Sequence, residues 1–150
     1  MTAGSVSEDD LARLAGAAKD ASRKAYCPYS RFPVGAAVLT DDGVVVTGVN
    51  VENASFGLTI CAERAAVFHA VASGRTSIRA VVVYTPTSRP TAPCGACRQV
   101  INEFGPDSVV LCVCDGAGTI RATLPELLPR AFGPNNLEPG AVPDRETGSL

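Results

Sequence analysis

An α/β fold is the expectation for this chain, and three observations carry it. The 150 residues are 46% apolar and contain no Trp. Val and Ala are prominent, which suits a sheet packed against Ala-rich helices. Segments with helical apolar spacing alternate with short Val-rich runs bounded by Gly, Pro and Asp. A strand, helix, strand succession in the second half calls for a parallel crossover, right-handed by the general rule. The length suits one domain over residues 1–150 that buries about two-thirds of its unfolded surface, with flexible ends at about 1–7 and 138–150.

Taken in order, Glu8 to Tyr26 reads as an amphipathic helix. Leu11, Leu14, Ala15, Ala18 and Ala25 recur near helical spacing, while Arg13, Lys19, Asp20 and Arg23 face elsewhere. Ser7 stands where an N-cap is needed, and Pro28 with the stretch Tyr29-Ser30-Arg31-Phe32-Pro33 stops the helix. Val34 to Thr40 and Val44 to Asn50 form a hairpin turned at Asp42-Gly43. A second helix runs from about Cys61 through Ser73 on Ala65, Val67, Phe68 and Val71, and Gly74 closes it. Ile78 to Tyr84 is a buried strand. A third helix covers about Gly95 to Phe104 and ends at Gly105-Pro106, and Ser108 to Cys114 is the next strand. A turn at Asp115-Gly116, an extended piece near Thr119 to Ala122, a brief Leu124 to Leu128 helix and a Pro/Gly/Asn-rich tail complete the chain.

Charge and composition exclude several partners. A net charge of −2 without a run of basic residues offers little long-range attraction to a polyphosphate backbone, so nucleic acid is not expected as a partner. Met1 to Asp10 has neither a basic nor an apolar signal region. No window supplies the roughly 18 consecutive apolar residues of a membrane span, so a cytoplasmic protein without a membrane partner is expected. In that reducing compartment the six cysteines remain thiols or bind metal.

The chemistry concentrates in Cys61-Ala62-Glu63 and Pro93-Cys94-Gly95-Ala96-Cys97. Three cysteines, Cys61, Cys94 and Cys97, suffice for one Zn²⁺ with the fourth tetrahedral position open to water, and Glu63 is close enough to handle that water's proton. All three fall in the first turns of two helices, where unpaired N–H groups and the helix dipole favour thiolates. Three thiolates leave the site at −1, and Arg64 is the candidate to offset it by donating to sulfur. Simpler readings stay open here. Cys94 and Cys97 alone would suit a structural zinc knuckle or a redox dithiol. With Cys112 and Cys114 they would make a closed four-cysteine site, although that second pair alternates within a strand as ordinary buried cysteines do. An isolated Glu63 would usually be a solvated helix residue. His69, two turns beyond Cys61, reads as a packing or surface residue.

Five stretches together resemble the small zinc-dependent cytidine deaminases, in that family's order. They are Tyr29 to Ala37, Gly48-Val49-Asn50-Val51-Glu52-Asn53-Ala54-Ser55, Cys61-Ala62-Glu63-Arg64, Pro93 to Gln99, and Leu127-Leu128-Pro129-Arg130-Ala131-Phe132-Gly133. The resemblance implies a three-layer α/β/α fold around a mixed five-stranded sheet, and a homotetramer with one zinc per subunit on Cys61, Cys94 and Cys97. It implies hydrolytic deamination of cytidine and 2′-deoxycytidine in pyrimidine salvage. A zinc hydroxide would attack C4 while Glu63 shuttles the proton to N3 and then to departing ammonia. Phe32 would line the base, the backbone at Ala62 and Cys94 would contact it, Asn50 and Glu52 would bind the ribose, and Phe132 would reach a neighbour's site. A carboxylate on the 3′-hydroxyl would repel a phosphate there, which favours free nucleosides. Phe56 departs from the tyrosine that many relatives carry, so that hydroxyl's hydrogen bond is missing. The rival readings are a blasticidin-S-deaminase-like enzyme acting on a cytosine nucleoside antibiotic and a non-catalytic zinc-binding module.

Overall fold

The computed structural model describes residues 5–140. The expectation of flexible ends falls on residues 1–4 and 141–150 for the most part, outside the described residues. Helix α1 (Glu8–Ser22) is followed by β1 (Gly35–Thr40), β2 (Val45–Val49), α2 (Ala62–Ala72), β3 (Ile78–Thr85), α3 (Gly95–Phe104), β4 (Val109–Cys114), β5 (Ile120–Thr123) and α4 (Leu124–Leu127). Short 3₁₀ turns lie at Phe56–Leu58 and Pro134–Leu137. The five strands form one mixed sheet in the order β2-β1-β3-β4-β5, in which only β3 and β4 run parallel.

Alternation along the strands divides the core into two layers. Ala37, Leu39, Ala80, Val82 and Tyr84 meet Leu11, Leu14 and Ala18 of α1 on one face. Ala36, Val38, Val81 and Val83 meet Ala62, Ala66, Val67 and Ala70 of α2 and Ile101 of α3 on the other. Ser7 caps α1 and forms a reciprocal capping box with Asp10. That helix stops four residues before the expected Tyr26. Arg23, Lys24 and Ala25 donate to carbonyls three residues back, a tightening that ends α-helical pairing. Tyr26 is taken instead by the sheet side of the molecule, donating its N–H to Asn50 and accepting from Glu52.

Topology brings both site helices to one end of the sheet. Gly35 opens β1 and pairs with Val49, at the end of β2, and with Tyr84, next to the end of β3. The chain therefore leaves β2 toward α2 and β3 toward α3 from adjacent positions. Gly48 lets α2 approach: a Cβ there would lie 2.2 Å from the backbone nitrogen of Ala66 and 2.6 Å from the carbonyl of Ala62. No side chain larger than hydrogen fits between that strand and that helix without a shift.

Candidate metal centre and active site

Cys61 and Cys94 are the N-caps of α2 and α3, both in extended conformation, and Cys97 lies in the first turn of α3. The Sγ atoms of all three lie within 4.8 Å of one another, and those of Cys61 and Cys94 are 3.9 Å apart. This is far longer than a disulfide, and all six cysteines are free. Sulfurs at about 2.3 Å from a tetrahedral Zn²⁺ would be about 3.8 Å from each other, so the donor set fits one zinc ion. The sulfurs' own electrostatics point the same way. Cys61 is lowered to about 5, first by the Cys97 thiol and then by Arg64 and Cys94, while Cys97 is pushed upward by Cys61 and by burial. Packed this closely, the three thiols divide little negative charge among themselves, and a divalent cation is what lets all three ionise.

Arg64 lies in the first turn of α2, and its Nη2 donates to the Cys61 Sγ at 3.5 Å. Arg98 secures the other ligand segment: its Nε donates to the carbonyl of Pro93 at 2.8 Å and its Nη1 to that of Leu127 at 2.9 Å. Glu63 follows Cys61 by two residues and is 5% exposed. Burial raises its carboxyl to about 7, with a smaller upward push from the Cys61 charge. A carboxyl in that range exchanges protons readily near neutral pH.

A cavity of about 390 Å³ opens over these groups. Cys61, Ala62, Glu63 and Cys94 line it, together with Phe32, Val34 and Val83 as apolar wall and Asn50, Glu52, Thr85 and Thr91 as polar wall. Its size lies near the small end of the ~300–1,000 Å³ typical of small-molecule sites. Thr85 and Thr91 escaped sequence reasoning because nothing in the Thr/Pro/Ser loop distinguishes hydroxyls that turn inward. Thr85 is in fact buried and bonded to the Thr87 hydroxyl at 2.8 Å.

The remaining residues singled out in the sequence lie elsewhere. Phe132 is 60% exposed and outside the cavity of its own chain, its carbonyl held by the side-chain amides of Gln99 and Asn102 at 2.8 and 3.3 Å. His69 is on the surface, where its Nδ1 pairs with the carbonyl of Thr47 at 3.1 Å. Cys112 is buried within β4, its thiol pushed up to about 12 chiefly by burial. Cys114 contacts the carbonyls of Gly116 and Gly118. Among the described residues the only grouping of three or more metal-binding side chains is Cys61, Cys94 and Cys97, so no four-cysteine site assembles. No helix among them is long and apolar enough to cross a membrane.

Comparison with known proteins agrees with this geometry. Residues 8–113 match the family model of the cytidine and deoxycytidylate deaminase zinc-binding region. A cytidine deaminase of Halalkalibacterium halodurans is 49% identical over 82% of this chain and 94% of its own length. The crystal structure of cytidine deaminase from Burkholderia pseudomallei superposes with a TM-score of 0.78 at 48% identity, covering 81% of this chain and 98% of that one. A blasticidin-S deaminase of Bacillus cereus is more distant, at 32% identity over 71% of this chain and 81% of its own.

Proposed function

Because this chain belongs to the cytidine and deoxycytidylate deaminase family, we propose that it hydrolyses cytidine and 2′-deoxycytidine to the corresponding uridines and ammonia, in pyrimidine salvage. The observation that carries the reading is a buried carboxyl, Glu63, beside three converging thiols, of which Cys61 and Cys94 line with it the floor of a cavity of small-molecule size. Zn²⁺, one per subunit on Cys61, Cys94 and Cys97, supplies the Lewis acidity that makes water nucleophilic near neutral pH. Glu63 carries a proton to N3 of the pyrimidine and then to the amino group leaving C4. Burial raises its carboxyl above the usual carboxylate range, which favours both accepting and giving that proton.

Phe32 and the backbone at Ala62 and Cys94 hold the base, Asn50 and Glu52 bind the sugar, and Arg64 moderates the charge of the thiolates. Large apolar side chains left in solvent support a homotetramer, in which Phe132 completes a neighbour's cavity. The whole chain acts as a single deaminase domain in the cytoplasm.

The test is turnover of cytidine by purified protein carrying one zinc per subunit, read as loss of the cytosine absorbance and release of ammonia. Both signals should appear together and vanish when a chelator strips the metal. Zinc-loaded protein that spares cytidine and deoxycytidine yet deaminates blasticidin S would move the assignment to the antibiotic deaminases, and one inert toward all three would leave a non-catalytic zinc module.

A further inference from the structure

The segment 29–34 brings Phe32 to the cavity wall, and it does so through an unfavourable conformation. Arg31 has φ of 56°, the left-handed region that non-glycine residues seldom occupy. A non-glycine residue persists there when its surroundings over-determine it. Short-range bonds are few: Arg31 N–H donates to the carbonyl of Cys27 at 2.9 Å, and Phe32 N–H to the Ser30 hydroxyl at 3.1 Å.

The anchors come from outside the loop, and they are Asn50 and Glu52. Oε1 of Glu52 accepts from the N–H groups of Tyr29 and Ser30, at 2.9 and 3.1 Å. The Asn50 amide acts as a substitute peptide group, its Nδ2 donating to the carbonyl of Phe32 at 2.8 Å while its Oδ1 accepts from Val34 N–H at 2.9 Å. The two anchors flank Arg31. Their common orientation follows from local strand pairing, because Val51 between them bridges to Tyr26 and to Ile60. Residues two apart on an extended segment face one side, here the cavity that both line.

We infer that Asn50 and Glu52 are positioning residues for the Phe32 wall as well as sugar contacts: one half of each side chain clamps the 29–34 loop, and the other half meets the sugar. The clamping half comprises Oε1 of Glu52 with Oδ1 and one N–H of Asn50. The sugar-facing half is Oε2 of Glu52 and the second N–H of Asn50. Ordering of the base wall and occupation of the sugar site are therefore linked, and each favours the other. The sugar-binding clause rests on the deaminase reading. The clamp does not.

The test measures amide hydrogen exchange by mass spectrometry over overlapping peptides spanning 27–35, in ligand-free, zinc-loaded protein, beside cytidine kinetics. Glu52→Ala should speed exchange at the Tyr29–Ser30 end about tenfold, the scale for losing hydrogen bonds to a charged group. Glu52→Gln retains an oxygen that accepts from both N–H groups, so it should recover most of the protection while still raising KM for cytidine. Asn50→Asp keeps the acceptor for Val34 but sets oxygen against the Phe32 carbonyl, and should loosen 32–35 without loosening 29–30. Zinc content and melting temperature control for folding. Exchange identical to wild type in all three variants would overturn the clamp, even if KM rose. Exchange that changes as expected in a protein without cytidine turnover would refute the deaminase reading alone.

Discussion

Cys61, Glu63 and Cys94 line the floor of the cavity with Cys97 buried beside them, all at the caps or first turns of two helices that pack on one face of the sheet. Phe56 and Phe132 instead stand on loops, 74% and 60% exposed, with Leu58 also in solvent. The three thiols and the Glu63 carboxyl are brought together within one chain by regular structure. Both outlying aromatics leave apolar surface in solvent, and Phe56 packs edge-on against Tyr29 with 5.8 Å between ring centroids. Groups whose mutual placement must be precise thus stand at helix starts on a sheet, whereas the exposed aromatics stand on the less regular segments between elements.

The sharpest way to isolate the floor is Glu63→Gln. It should keep its zinc and lower kcat for cytidine by about 10²–10⁴-fold, the range for a general acid/base, as read by steady-state kinetics with metal analysis. Full zinc with undiminished kcat would remove Glu63 from the proton chemistry. A smaller effect should come from outside the cavity. Gly48→Ala forces a Cβ to within 2.2 Å of the α2 backbone and should destabilise the fold by about 1–3 kcal/mol, with faster zinc loss to a chelator. Unchanged melting and metal retention would show that the α2 start does not depend on this approach.

The least severe variant addresses the rim. Phe132→Ala should leave zinc intact and reduce kcat/KM about tenfold, a magnitude typical of losing one aromatic contact at an interface. Mixing its subunits with Glu63→Gln subunits should restore activity, because some sites would then combine a native Glu63 with a neighbour's native Phe132. Additive behaviour in the mixture would confine each site to one chain.

Much of the floor was legible beforehand because its determinants are local. The Pro93 to Gln99 run specifies a helix start whose cap and first turn both bear thiols, and Arg98 then bonds back to the carbonyl of Pro93, five residues before it. The β1–β2 hairpin was equally readable from Asp42-Gly43, and Gly43 adopts a φ of 80°. The end of α1 was not, because Ala25 and Tyr26 keep the helical pattern while Tyr26 is captured by Asn50 and Glu52, far away in sequence. Nor were the bonds from Asn50 and Glu52 to the 29–34 loop, since a polar stretch of that composition gives no sign of which distant backbone groups its side chains meet.

By itself, the sequence determined the order and kind of the elements, the three thiols and the carboxylate, and the family. Each is encoded by residue type and by spacing over a few turns, where covalent geometry and helix periodicity leave little freedom. Tertiary structure decided that Cys61 and Cys94 meet at 3.9 Å, that Glu63 is buried enough to titrate near neutrality, and that a left-handed Arg31 is held between two anchors. Those properties arise from strand order, from the close approach of α2 at Gly48 and from the bonds that Asn50 and Glu52 make to the 29–34 loop. They depend on distances between segments far apart in the chain, and no local pattern specifies such distances.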